Sequence, residues 1–289
     1  GRAAFYANTT GSFNVAIGHD SLAQNTTASN NVAIGYSALT ANTTGTENSA
    51  LGRDALLANT TGNKNVAIGH LAMRTTTTGY DNVGIGVGAL HNNTTGYQNI
   101  GIGKSALAAN TTAAANTAIG WEALTTNTTG GYNVAIGKDA LLANTTASGN
   151  VAVGVDTLTT NTTGHSNTGV GTAVLKDNTT ADYNTAMGYE ALANNTTGDS
   201  NTAVGWSALK VTTTSGWNTA MGFESGKGVT TGIRNVLYGY QSAKELTTGD
   251  NCIAIGYEAG RSTSPSGSIT TADNRIVLGD NNITHAYVK

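Results

Sequence analysis

The chain has 289 residues, a formal charge of −3, 38 Gly and one Pro, and only 11% of it is charged, against about 25% in an ordinary soluble domain. Thr and Asn number 50 and 33, nearly 29% of the whole; both favour turns and strands over helix interiors, which excludes long helices and an ordinary α/β enzyme. With 14 Lys and Arg against 17 Asp and Glu there is no electrostatic footprint for nucleic acid or an acidic membrane surface, and no apolar run approaches the ~18 residues of a spanning helix.

The N-terminal stretch Gly1–Tyr6 lacks the apolar run of a signal peptide. Neither nucleic acid nor membrane insertion is expected. The single cysteine, Cys252, cannot form an intrachain disulfide, so stability must come from packing and ladders. From Gly18 to Gly256 a glycine then closes a short β-like word fifteen times, always 17 residues after the last. Such self-similarity marks a stacked array in which each unit buries its apolar face on its neighbours, and it overrides the suggestion of disorder from composition.

The unit is N-[V/T]-A-[I/V]-G-x-x-A-L-x-x-N-T-T-G-x-x, and Asn31 to Glu47 is one complete copy. Positions are counted below from its first Asn. Positions two and four (Val15 and Ile17, Val66 and Ile68, Val134 and Ile136) alternate with small residues, the period of a strand. With Leu or Met at position nine from Leu22 to Leu209, they are expected to form the inner stack, and Ala at position eight fills the space beside it. Gly at positions five and fifteen marks corners of positive φ or close backbone approach. Coils spaced ~4.8 Å apart would make a rod of about 70 Å. The fold class is all-β, a parallel β-solenoid or β-roll of 17-residue coils.

Asn at positions one and twelve suits ladders that bond within a coil and to the next. Position twelve also opens an Asn-Thr-Thr sequon ten times within the coils, which a repeated corner explains without any sugar. Position three alternates with the expected inner columns and should therefore face outward. An outward position should vary, yet Ala16, Ala33, Ala50, Ala67, Ala118, Ala135 and Ala152 are small like nearly all their equivalents, Leu237 excepted. The expectation is an oligomer interface along these alanines, the alternative being that small residues permit curvature of a lone sheet.

The N-x-A-[I/V]-G word, stacked coil on coil, resembles the head repeats of trimeric autotransporter adhesins, and the longer form ending in N-T-T-G resembles repeats of bacteriophage tail-fibre proteins. The resemblance covers roughly residues 8 to 260. It implies a left-handed β-roll assembled as a homotrimeric rod. Gly1 falls on position five of a coil, so the array is expected to continue upstream as part of a longer fibre.

Residues 1–205 read as regular shaft. Over 206–260 the coil changes, with Gly226, Ala243 and Gly260 at position nine and Thr212, Val229 and Leu246 at position twelve. Position six is aromatic in five successive coils, Tyr189, Trp206, Phe223, Tyr240 and Tyr257; Lys210, Lys227, Lys244 and Arg261 occupy position ten. Beside Glu190, Glu224 and Glu258 these rings could form a glycan or receptor strip, or they could be packing that replaces the lost Leu column. Residues 261–289 read as irregular, and the run from Asn274 to Lys289 resembles the stretch that precedes the self-cleaving intramolecular chaperone of phage tail fibres.

No catalytic constellation emerges. The five histidines, His19, His70, His91, His165 and His285, lack metal-ligand spacing, and the position-seven carboxylates read as a solvated rim. No cofactor or metal is expected. The combined expectation is a structural rod of a phage tail fibre, part of a virion and extracellular, with other tail or fibre proteins and a host cell-surface glycan as partners. A bacterial surface adhesin head is the alternative. An ice-binding solenoid comes behind both, because Thr at positions thirteen and fourteen cannot both join one flat outward array. A capsule depolymerase is weaker still.

Overall fold

The computed structural model describes residues 1–262 and 268–280. It divides into two compact units, Gly1–Gly149 and Asn150–Lys289. Each is a parallel β-solenoid. The first holds β1 (Val15–Ile17), β2 (Val32–Ile34), β3 (Ser49–Leu51), β4 (Val66–Ile68), β5 (Val83–Ile85), β6 (Ile100–Ile102), β7 (Thr117–Ile119) and β8 (Val134–Ile136). Each strand pairs in register with the equivalent strand one coil on, as Val32 with Ser49 and Ala33 with Ala50. In the second unit β9 (Val151–Val153), β10 (Thr168–Val170), β11 (Thr185–Met187), β12 (Thr202–Val204), β13 (Thr219–Met221), β14 (Val236–Tyr238), β15 (Ile253–Ile255) and β16 (Ile276–Leu278) repeat that register.

Only three residues per coil are strand, but the ladder runs round the rest of the coil. Val32 donates its backbone N–H to Asn48, Leu39 to Ala55 and Thr43 to Thr60, at 2.8 to 3.0 Å. Every level therefore satisfies the next one's backbone, as buried backbone outside a helix requires.

The outward and inward sides of the strand are the reverse of the expectation. Ala33, Ala67, Ala118, Ala135 and Ala152 are 0% exposed and Ala50 is 1%; Ala16, in the first strand, is half-buried. The Val and Ile columns at positions two and four face out, with Ile68, Ile119 and Ile136 each 37% exposed. The cause is the width of the coil. Position nine supplies a fully buried Leu or Met, and a Cβ built on Gly84 would lie 2.7 Å from Met73 Cγ, while one on Gly101 would lie 3.2 Å from Leu90 Cγ. One long side chain per coil fills the interior and leaves room for Ala or Gly at position three. The alanines are small because of their own coil, so beyond Ala16 in the first strand they are not a surface another chain can touch.

Position-five glycines have φ between +121° and +141°, and a Cβ on Gly120 would stand 2.4 Å from the Gly137 carbonyl oxygen. Both reasons for glycine hold there. At position fifteen φ is not positive; the constraint is close approach alone, as at Gly45, whose Cβ would meet the Gly62 oxygen at 2.4 Å. Left-handed conformation instead falls on positions seven, nine and seventeen, for example Ser37, Leu39 and Glu47 at φ +54°, +54° and +59°.

The Asn ladders form as read. Asn48 N–H donates to Asn31 Oδ1 and Asn42 Nδ2 to Asn25 Oδ1, both at 2.9 Å, while Asn31 and Asn42 both donate to the Gly45 carbonyl. These residues are 0% exposed, so the sequon asparagines present no amide to a glycosylating enzyme.

In the second unit the core is rebuilt from within. Leu237 at position three and Val229, Leu246 and Ile269 in the former Asn column are buried where the Leu column ends. Residues 268–280, read as irregular, contain a further coil: Ile276–Leu278 pairs with Ile253–Ile255. The offset from coil to coil grows there from 17 to 23, which hides the coil from any search at constant period. Residues 263–267 and 281–289, and with them His285 and most of the stretch likened to a chaperone boundary, lie outside the described residues.

Candidate functional site

The position-six column stands out among the surface columns of both units. It follows the positive-φ glycine directly, so each side chain leaves the coil at the same angle and meets its equivalent one coil away. Planar groups stack under these conditions. In the first unit His19 lies over Tyr36 at 5.3 Å, with the Arg53 guanidinium 5.9 Å from the same ring. Tyr36 and Arg53 line a shallow surface pocket of about 410 Å³. Trp121 has the Lys104 and Lys138 ammonium groups at 5.9 and 5.2 Å.

In the second unit the column becomes an unbroken ladder. Tyr189, Trp206, Phe223, Tyr240 and Tyr257 follow one another at centroid separations of 6.1, 4.9, 5.2 and 5.1 Å, with planes within 9° of parallel. Each of Trp206, Phe223 and Tyr240 thus has a ring against both of its faces, and only ring edges meet solvent. The five side chains are 39 to 57% exposed. Packing inside the coil would have buried them, and the lost Leu column is filled by Leu237, Val229, Leu246 and Ile269 instead. A sugar that stacks its C–H face on an aromatic ring would find the inner faces taken.

The carboxylates beside the ladder are committed as well. Glu224 is 5% exposed and accepts hydrogen bonds from Lys227 at 2.5 Å, Lys244 at 2.6 Å and Gln241 at 2.7 Å. Burial alone would raise its pKa; the hydrogen bonds from Lys227, Lys244 and Gln241 outweigh that and hold it at about 2. Lys210 reaches Glu190 at 2.6 Å, and Arg261 bonds both Glu258 and Gln241. The Glu258 charge raises the Tyr257 phenol above its ordinary value. A rail of ion pairs therefore ties successive coils together beside the ladder.

Elsewhere position seven is matched in the same way. His19 bonds Asp20, Arg53 bonds Asp54, Lys138 bonds Asp139, and the Trp121 indole N–H donates to Glu122. Sequence reasoning located this carboxylate column but missed its partners at positions six and ten, because stacking geometry decides which neighbour is near. Among the described residues no three His, Cys, Asp or Glu side chains are grouped as metal ligands, and no reactive cluster is assembled. No helix is long and apolar enough to cross a membrane among those residues.

The two threonine columns have different fates. The position-thirteen hydroxyl donates to the next coil's backbone, as Thr43 Oγ1 to Thr60 O at 3.1 Å, whereas position fourteen is exposed. A single outward Thr column is left, flanked by variable side chains, which is not the flat array an ice surface needs.

No protein-family model matches this chain, and no curated protein matches it.

Proposed function

We propose that the chain is a structural and adhesive β-solenoid that assembles with further copies of itself, as a homotrimer of left-handed rolls in a bacteriophage tail fibre, extracellular on the virion. The carrying observation is the sheet face: an apolar side chain at position four in every coil, joined by Val or Ile at position two in most of them, stands part-exposed on a strand whose inward side is already full. Exposed apolar surface sustained over many coils exceeds what a monomer ordinarily leaves to water. The copy-to-copy contact is assigned to these aliphatic columns. The trimeric state, the handedness and the tail-fibre context rest on the sequence resemblance, as do a host-surface glycan and other fibre proteins as partners.

The rest of the surface supports a mechanical role. Most position-seven carboxylates are paired with cations, buried amides are used in ladders, and the backbone is bonded from coil to coil, so many of the side chains that could do chemistry are holding the stack together. Sedimentation equilibrium of the full chain tests the reading: a trimer that dissociates when Ile119→Lys and Ile136→Lys are combined is expected, and a folded monomer for the unmodified chain would overturn it.

A further inference from the structure

We infer that the aromatic ladder of the second unit is a contact surface for a second copy of this chain; the inference rests on the self-association proposed above and assigns it an anchor. The ladder is bordered, two residues earlier in each coil, by the position-four column. There Met187, Met221, Tyr238, Ile255 and Leu278 are 38 to 55% exposed; neither these residues nor the five rings are charged, and Asp280 takes position six only in the last coil, after Tyr257. The first unit differs, since its position six holds Arg53, Lys104 and Lys138.

Three features exclude weaker occupants. The inner ring faces are covered by neighbouring rings, and Glu224 is buried under two ammonium groups, so the site lacks both the stacking platform and the free acceptor that a glycan uses. The lysines beside it are spent on carboxylates, so it has no pull on an anion. What is left is an exposed apolar strip of Trp, Tyr, Phe and Met, the types enriched at the centres of protein interfaces. Methionine adds a side chain that adapts to its partner.

The area points to a copy of the same chain. Five aromatic side chains of 150–250 Å², each close to half exposed, offer roughly 450 Å², and the position-four column adds a similar amount, near the roughly 800 Å² per partner of a stable interface. A parallel copy carries its own uncharged aliphatic columns at the same coil spacing. One apolar side chain per coil can then meet each ring edge.

The test uses the full chain with Tyr240→Lys and Tyr257→Lys combined, followed by sedimentation equilibrium and circular dichroism. At least tenfold weaker association with an unchanged spectrum is expected. Unchanged association would overturn the inference, and if the Ile119→Lys, Ile136→Lys protein still dissociates, the self-association reading stands without it. A monomeric unmodified chain would sink both. Should the tyrosine variant not fold, Trp121→Phe with Trp217→Phe leaves Trp206 as sole tryptophan; its acrylamide quenching should fall on association, and equal quenching in monomer and assembly overturns the proposal. Retention on immobilised bacterial lipopolysaccharide that the tyrosine variant loses, with association intact, would assign the ladder to a glycan instead.

Discussion

Leu237 Cδ1 lies 2.5 Å from the point where a Cβ on Gly226 would stand. The two residues exchange roles between neighbouring coils. In regular coils the large side chain comes from position nine and the small one from position three; here Leu237 reaches inward from the strand and Gly226 yields the space. Gly226 has φ +58°, close to the +50° of Leu209 one coil earlier, so its backbone is already shaped for leucine. Leu237→Ala should cost about 2–5 kcal/mol through the cavity it leaves. Gly226→Leu alone should destabilise by about 1–3 kcal/mol through overpacking. The double variant should recover most of both losses, and a denaturant double-mutant cycle measures the coupling.

Thr76 interrupts the position-twelve ladder. Asn59 Oδ1 and Thr76 Oγ1 are both buried without a hydrogen-bond partner, because Thr76 stands where an amide would bond to the coil before it. Thr76→Asn should satisfy Asn59 and stabilise the chain by about 1–3 kcal/mol, the usual penalty for a buried unmet polar group. Paired thermal melts decide it, and a lower melting temperature would count against the ladder account.

Leu124 is fully buried at φ +54°. A β-branched residue is poorly tolerated in that region. Leu124→Ile should therefore lose about 1–3 kcal/mol as backbone strain, more than Leu124→Met, since Met73 occupies the equivalent place at φ +52°. Equal melting temperatures for the two variants would show that packing alone sets the cost.

Glu224 couples the ion-pair rail to pH. Its folded pKa, about 2, lies below the ordinary 4.5, so between those values the unfolded chain binds more protons than the folded one. Stability from this group is complete above about pH 4.5 and is lost as pH falls toward 2. The loss is at most about 3 kcal/mol. Melting temperature followed from pH 7 to pH 2 should fall less steeply for Glu224→Gln than for the unmodified chain.

The period, the parallel stack, the strand positions, the amide ladders and the position-five corners were all legible in the sequence. Each depends on a residue repeating at one place in every coil, and repetition within one molecule is visible without coordinates. The aromatic column was legible too, as five rings at constant spacing. Tertiary structure alone decided which side of the strand is the inside. Alternation shows that Val32 and Ile34 share a face and that Ala33 takes the other, but it is symmetric between the two. The choice is made by the space that Leu39 and its equivalents occupy in a narrow coil, where the backbone is left-handed at positions seven, nine and seventeen; Gly, Asn and Asp hold some of those places, but Leu, Ser and Glu hold others and do not announce it. The same limit held for the ladder: spacing placed the rings in one column, whereas only the geometry of that column showed their faces turned on one another and Glu224 closed beneath Lys227 and Lys244.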